Sequence, residues 1–128
     1  MDIKGIHHVA IICSDYKRSK KFYTQILNFK ILDEHFRQER NSYKLDLAIN
    51  RNYRIELFSF HQPPKRVNMP EAAGLRHLAL AVSNLDKIVK ELNDKGVVTE
   101  AIRIDPYTGC RYTFCKDPDG LPLEFYEQ

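Results

Sequence analysis

The chain predicts an α+β fold made of two tandem β-α-β-β-β units, and three observations carry that prediction. Gly5-Ile6-His7-His8 leads to Ile55-Glu56-Leu57-Phe58, and Gly74-Leu75-Arg76-His77 leads to Leu123-Glu124-Phe125-Tyr126. Glu56 follows His8 by 48 positions and Glu124 follows His77 by 47, an internal period that implies a duplicated unit. Within each copy, period-two and helical patterns alternate in the same order. The expected layout is residues 5–60 for the first unit, 61–72 for a linker and 73–128 for the second.

The elements follow in turn. Residues 5–12 are rich in β-branched side chains and end at Ser14-Asp15, a helix N-cap signal. From Tyr16, the residues Phe22, Tyr23, Ile26 and Leu27 form one helical stripe that stops near Asn28. A β-type run covers Phe29 to Leu32, and Ser42 to Ile49 reads as a third strand. The turn Asn50-Arg51-Asn52 joins that strand to a fourth at Tyr53 to Phe60. The second copy has a strand over Leu75 to Val82, an Asn84 cap, and Leu85, Ile88, Val89 and Leu92 at helical spacing, with Gly96 as the stop. Val97 to Ile104, Arg111 to Cys115 and Leu121 to Tyr126 supply three more strands. The last two are joined by Asp117-Pro118-Asp119-Gly120, whose residues suit a type I turn. Between the copies, Pro63, Pro64 and Pro70 favour an extended connector. Its length sets whether the units pair within one chain or exchange between two.

Composition narrows the function classes. With 128 residues, 43% of them hydrophobic and 29% charged, the chain can bury a core of its own. The net charge of +3 is spread over interspersed residues, so no nucleic-acid surface is expected; the run Lys17-Arg18 with Lys20-Lys21 reads as a solvated helix face. Cys13, Cys110 and Cys115 contain no Cys-x-x-Cys pair, and an odd count argues against a disulfide framework. No apolar run is long enough for a membrane span, and Met1-Asp2-Ile3-Lys4 has no signal-peptide pattern. The expectation is a soluble cytoplasmic protein.

The repeated His and Glu carry the chemistry. Alternation puts His8, Ala10 and Ile12 on one face and His7 on the other, and it groups His77 with Ala79 and Ala81, whose small side chains leave room beside the imidazole. A carboxylate on such a face must be solvated, paired or metal-bound, because burying it bare costs several kcal/mol or more. Two imidazoles and two carboxylates suit a divalent metal of intermediate hardness: zinc, nickel, manganese or iron. Taken singly, each of the four favours a plainer reading: Glu56 and Glu124 as solvent-exposed carboxylates, His8 and His77 as hydrogen-bonded core groups. Tyr43, Phe58, Phe60 and Tyr126 read as core aromatics or a pocket lining. Arg37, Arg40 and Arg111 are candidate anion contacts, with surface pairing to Glu34 or Glu39 the default reading for Arg37 and Arg40. His7, His35 and His61 are expected to be structural or exposed.

His-His-Val-Ala-Ile at 7–11, Ser-x-x-Phe-Tyr at 19–23, Arg-His-Leu-Ala-Leu at 76–80, and Asp-Pro-Asp-Gly with Leu-Glu-Phe-Tyr at 117–126 resemble the vicinal oxygen chelate superfamily, which includes glyoxalase I, extradiol dioxygenases, fosfomycin-resistance proteins and methylmalonyl-CoA epimerase. The resemblance spans nearly the whole chain. It implies paired β-α-β-β-β units whose curved sheets enclose one divalent metal, with His8, Glu56, His77 and Glu124 as ligands, and a homodimer. Dioxygenases and fosfomycin-resistance proteins typically use two His and one Glu, and the epimerases place Gln where Glu56 stands. Glyoxalase I uses two His and two Glu, so the implied activity is that of a glyoxalase-type isomerase or lyase. It would act through a metal-chelated enediolate on a small oxygenated or thiol-conjugated substrate, with Glu124 as the base and Glu56 as its partner. The usual glutathione anchors, an Arg and an Asn, are replaced by Ile12 and Phe60. The alternatives are a drug- or metabolite-binding resistance protein and a ring-cleaving dioxygenase.

Overall fold

A computed structural model describes all of residues 1–128. The chain divides into two compact units, Met1–Pro64 and Lys65–Gln128. Each is a β-α-β-β-β unit with one four-stranded mixed sheet, as expected from the repeat.

In unit 1, β1 (Val9–Cys13) leads through Asp15 into α1 (Tyr16–Lys21). The Asp15 carboxylate accepts from the Arg18 N–H at 3.0 Å, the cap that the sequence signals. The helix continues as a π-helical turn over Phe22–Ile26, closed by Leu27 N–H to Phe22 O, and it ends at Asn28 with φ of 59°. β2 (Lys30–Arg37), β3 (Ser42–Ala48) and β4 (Arg54–Ser59) complete the sheet in the order β1-β4-β3-β2, with β1 parallel to β4. Ile11, Cys13, Phe22, Tyr23, Leu45, Leu47, Ile55 and Leu57 are buried and form the core on one face of the sheet. The register shifts between Ile31 and Asp33, so Leu32 forms a bulge. Before it Ile31 faces Leu47; after it Asp33, His35 and Arg37 face Asp46, Lys44 and Ser42. The extra residue thereby moves three polar side chains away from the core face, and β2 runs five residues past its expected end.

Unit 2 repeats the order with β5 (Leu78–Val82), α2 (Leu85–Asp94), β6 (Arg103–Ile104), β7 (Arg111–Lys116) and β8 (Pro122–Glu127). The sheet runs β5-β8-β7-β6. Asn84 caps α2 by accepting from Lys87 N–H at 2.9 Å, and Gly96 at φ of 80° turns the chain out of the helix. Leu85, Leu92, Cys115, Leu121, Leu123 and Phe125 form the core. The expected strand over Val97–Ile104 is reduced to Arg103–Ile104; upstream of it Glu100 meets β7 through its N–H to Phe114 O at 2.9 Å and through its carbonyl, which accepts from Thr113 Oγ1 at 2.8 Å. At the Asp117 turn, Gly120 N–H reaches Asp117 O at 3.0 Å, and the Asp117 carboxylate accepts from the Asp119 and Leu121 N–H groups.

The stretch read as a linker is fastened at its far end. Arg66 donates to the carbonyls of Leu75 and Arg76, and Asn68 Nδ2 donates to Gly120 O at 2.8 Å. These bonds tie residues from 65 onward to unit 2.

Candidate metal centre

The strands expected over residues 5–12 and 75–82 begin later, at Val9 and Leu78, so His8 and His77 each sit one residue ahead of a strand. Both still reach the partner that the repeat assigns. In unit 1, His8 Nε2 lies 3.3 Å from Glu56 Oε2; in unit 2, His77 Nε2 lies 3.0 Å from Glu124 Oε2. The sheet register explains the match. Each Glu lies on the last strand of its unit, paired in parallel with the first, where Ala10 faces Glu56 and Ala79 faces Glu124. Paired residues share a face, and the alanines leave the imidazoles uncrowded. The Glu side chains are the less exposed members, at 18% and 13%. His7 lies against His8, with Nδ1 atoms 2.8 Å apart.

Around these pairs the two units differ. In unit 1 the neighbour across from Glu56 is Asp46, and Lys44 bridges them, with Nζ 2.7 Å from Asp46 Oδ1 and 3.3 Å from Glu56 Oε1. The Lys44 pKa is raised, chiefly by Asp46 and further by Glu56 against the opposing effect of burial. In unit 2 the residue across from Glu124 is Phe114, whose ring meets the His77 imidazole edge-on at 5.2 Å and 81°. Tyr112 and Tyr126 stack alongside, and the Arg103 guanidinium sits 5.1 Å from the Tyr112 ring centre. A cleft of about 400 Å³ opens beside His77, lined by Arg66, Met69, Arg76, Phe114 and Lys116 among others.

Of the aromatics, Phe58 and Tyr126 lie on the His–Glu faces, whereas Tyr43 stacks on Tyr16 on the opposite face at 4.2 Å and Phe60 is exposed. Glu34 is taken by Lys20 and Tyr16, so it pairs with neither Arg37 nor Arg40, and Arg111 pairs with Glu127 and Asp86. His35, expected to be structural or exposed, is exposed and pairs with Asp33 at 2.8 Å on the Glu56 face, re-aimed there by the bulge. Lys44 and Asp46 were legible in principle. The hairpin is symmetric about Arg51, and counting back from that turn places Asp46 opposite Glu56.

The donor chemistry fits a divalent metal. Each unit offers one imidazole nitrogen and one carboxylate oxygen at the same place in its sheet, and both pairs are partly solvent-accessible. No group of three or more His, Cys, Asp or Glu side chains forms a metal-holding cluster. No disulfide links the three cysteines, two of which are buried. No helix is long and apolar enough to cross a membrane.

Comparison with known proteins agrees with this architecture. The chain is 62% identical to the uncharacterized protein YwkD of Bacillus subtilis strain 168, over the full length of both. It is 54% identical to the uncharacterized protein YaeR of Escherichia coli K12, covering 100% of this chain and 99% of that one. A glyoxalase family protein from Enterococcus faecalis superposes with a TM-score of 0.92 at 46% identity, covering 99% of this chain and 100% of its own. A maize glyoxalase I variant shares the fold at 19% identity and a TM-score of 0.81, with 95% of this chain matching 44% of that one. The fosfomycin resistance protein FosX of Listeria monocytogenes does so at 17% and 0.79, covering 98% and 94%. Residues 5–125 match the family model for this fold. The chain belongs to the glyoxalase/bleomycin resistance protein/dioxygenase superfamily.

Proposed function

We propose that this chain is a divalent-metal-dependent isomerase or lyase of glyoxalase type, acting on a small oxygenated or thiol-conjugated substrate. His8, Glu56, His77 and Glu124 together hold one metal, with zinc, nickel, manganese or iron as candidates. The observation that supports this reading is the equivalence of the two His–Glu pairs, at 3.3 and 3.0 Å. When bound, the metal supplies Lewis acidity that stabilises negative charge developing on substrate oxygens.

The chain's own residues do the rest. Glu124, with a side chain only 13% exposed, takes a proton from one substrate carbon and returns it to the neighbouring one. Phe114, edge-on to His77, fixes the imidazole plane. Phe58 and Tyr126, each two residues beyond a site Glu, give the substrate apolar walls. The protein is proposed to work in the cytoplasm as a homodimer.

The test is elemental analysis of untagged protein, in wild type and in the His77→Ala and Glu56→Ala variants. Near-stoichiometric metal, lost in both variants, is the expected result and leads to a screen of 2-oxoaldehyde adducts for isomerisation. Glu124→Gln is then expected to lower turnover by at least about 100-fold while sparing most of the metal. Unchanged turnover would remove Glu124 from the role of base. One observation favours a second reading, a metabolite- or drug-binding protein: Lys44 already compensates Glu56 with a positive charge. Protein that takes up no metal even on reconstitution would select it.

A further inference from the structure

We propose that Arg37 is an oxyanion anchor, holding a carboxylate or phosphate terminus of the substrate on the face of unit 1 that carries His8 and Glu56. The proposal rests on reading that face as substrate-binding, and it adds the substrate's chemical class.

Arg37 ends β2 past the Leu32 bulge, opposite Ser42. Its guanidinium lies over the Phe58 ring, 4.8 Å from the ring centre, and one terminal nitrogen donates to Ser42 Oγ at 2.5 Å. Those two contacts fix the plane of the group. Arg37 makes no ion pair with any carboxylate of the chain, and its Nε–H is buried without a hydrogen-bond partner. Three other arginines contrast with it. Arg111 grips Glu127 and Asp86, Arg103 pairs with Glu100, and Arg66 is spent on backbone carbonyls. A buried, oriented donor on a permanent cation with no acceptor is costly to keep, and it matches the fork geometry that binds carboxylate or phosphate through two nitrogens.

The surroundings set the ligand's shape. Phe58 and Glu56 are two residues apart on β4, so Arg37 lies beyond a strand step of about 7 Å from the Glu56 carboxylate. Lys44 Nζ is 6.0 Å from the same ring, adding a second cation on this face. The ligand that suits this row is a short oxygenated acid. Its reacting oxygens lie at His8 and Glu56, its carbon chain crosses Phe58, and its oxyanion ends at Arg37.

The experiment uses the metal-free, full-length, ¹⁵N-labelled chain. The Arg37 Nε–H resonance, assigned by its loss in Arg37→Lys, is followed during titration with inorganic phosphate and, separately, with succinate, at ionic strength held constant with sodium chloride. A saturable shift with either probe is expected, and the stronger of the two identifies the preferred oxyanion. Arg37→Met, followed with wild type through the backbone amide shifts of Ser42 and Phe58, is expected to weaken that binding about tenfold or more, as loss of a charge-assisted hydrogen bond does. No shift with either anion, or equal affinity in Arg37→Met, would overturn the proposal and leave Arg37 as a cover for Phe58. If Arg37→Met does not fold, the wild-type resonance decides alone. Because no metal is present, failure here leaves the four-ligand assignment standing, and failure to bind metal leaves the anchor standing.

Discussion

Lys44 is the residue whose chemistry most affects the metal reading. Its ammonium sits 3.3 Å from Glu56 and would oppose a dication at the same carboxylate. Lys44→Gln is therefore expected to raise metal affinity several-fold, measured by competition with a chromogenic chelator; unchanged affinity would mean that Lys44 swings clear at no cost. His8, Glu56, His77 and Glu124 could be picked from the sequence because duplication makes each pair repeat. Lys44 and Arg37 have no counterpart at the equivalent places in unit 2, where Tyr112 faces Tyr126 as Lys44 faces Phe58. A search for repetition passes over such residues, and only strand register reveals which face they share.

Among the elements, α2 is held at its start by the last residues of β8. Glu127 Oε1 accepts from the Leu85 N–H at 2.9 Å, while Arg111 grips both Glu127 oxygens at 2.7 and 2.9 Å. Arg111, and secondarily the Leu85 N–H, hold the Glu127 carboxyl below its ordinary range. A depressed folded-state pKa contributes stability that is fully present above the unfolded value of about 4.3 and is lost as pH falls through the folded value. Urea midpoints of wild type and Glu127→Gln should thus differ at pH 6 and draw closer at pH 3. A gap of equal size at both pH values would show that the carboxylate charge plays no part. The two N-caps, the hairpin turn and the Asp117 turn were readable because each depends on a few neighbouring residues. The Leu32 bulge was not, since it arises from register against β3 rather than from local preference.

For the whole molecule, duplication was the most legible property, because one period organises the entire chain. What duplication concealed is divergence: unit 1 surrounds its pair with Lys44, Asp46, Asp33 and His35, and unit 2 surrounds its own with Phe114, Tyr112 and Tyr126. A ligand that binds only the folded protein stabilises it by about 2.7 kcal/mol at a free concentration 100 times its Kd. Zinc or nickel at that level should raise the melting temperature by roughly 5–10 °C, a shift in keeping with the unfolding entropy of a domain this size. His77→Ala is expected to abolish the shift, and a shift of the same size in that variant would place the metal elsewhere.

The cysteines make one practical use of this architecture possible. Cys13 and Cys115 are 1% and 3% exposed, and burial, with a smaller effect from Asp117, pushes the Cys115 thiol up to about 12. Thiolate is the reactive form, so both should resist alkylation while the fold holds. Cys110 is half-buried in the turn before β7, where its backbone N–H donates to Thr108 Oγ1, itself a hydrogen-bond partner of Tyr126, two residues along β8 from Glu124. A maleimide dye should therefore attach once per native chain, placing a fluorophore beside the proposed base and making the protein its own reporter for ligand screening.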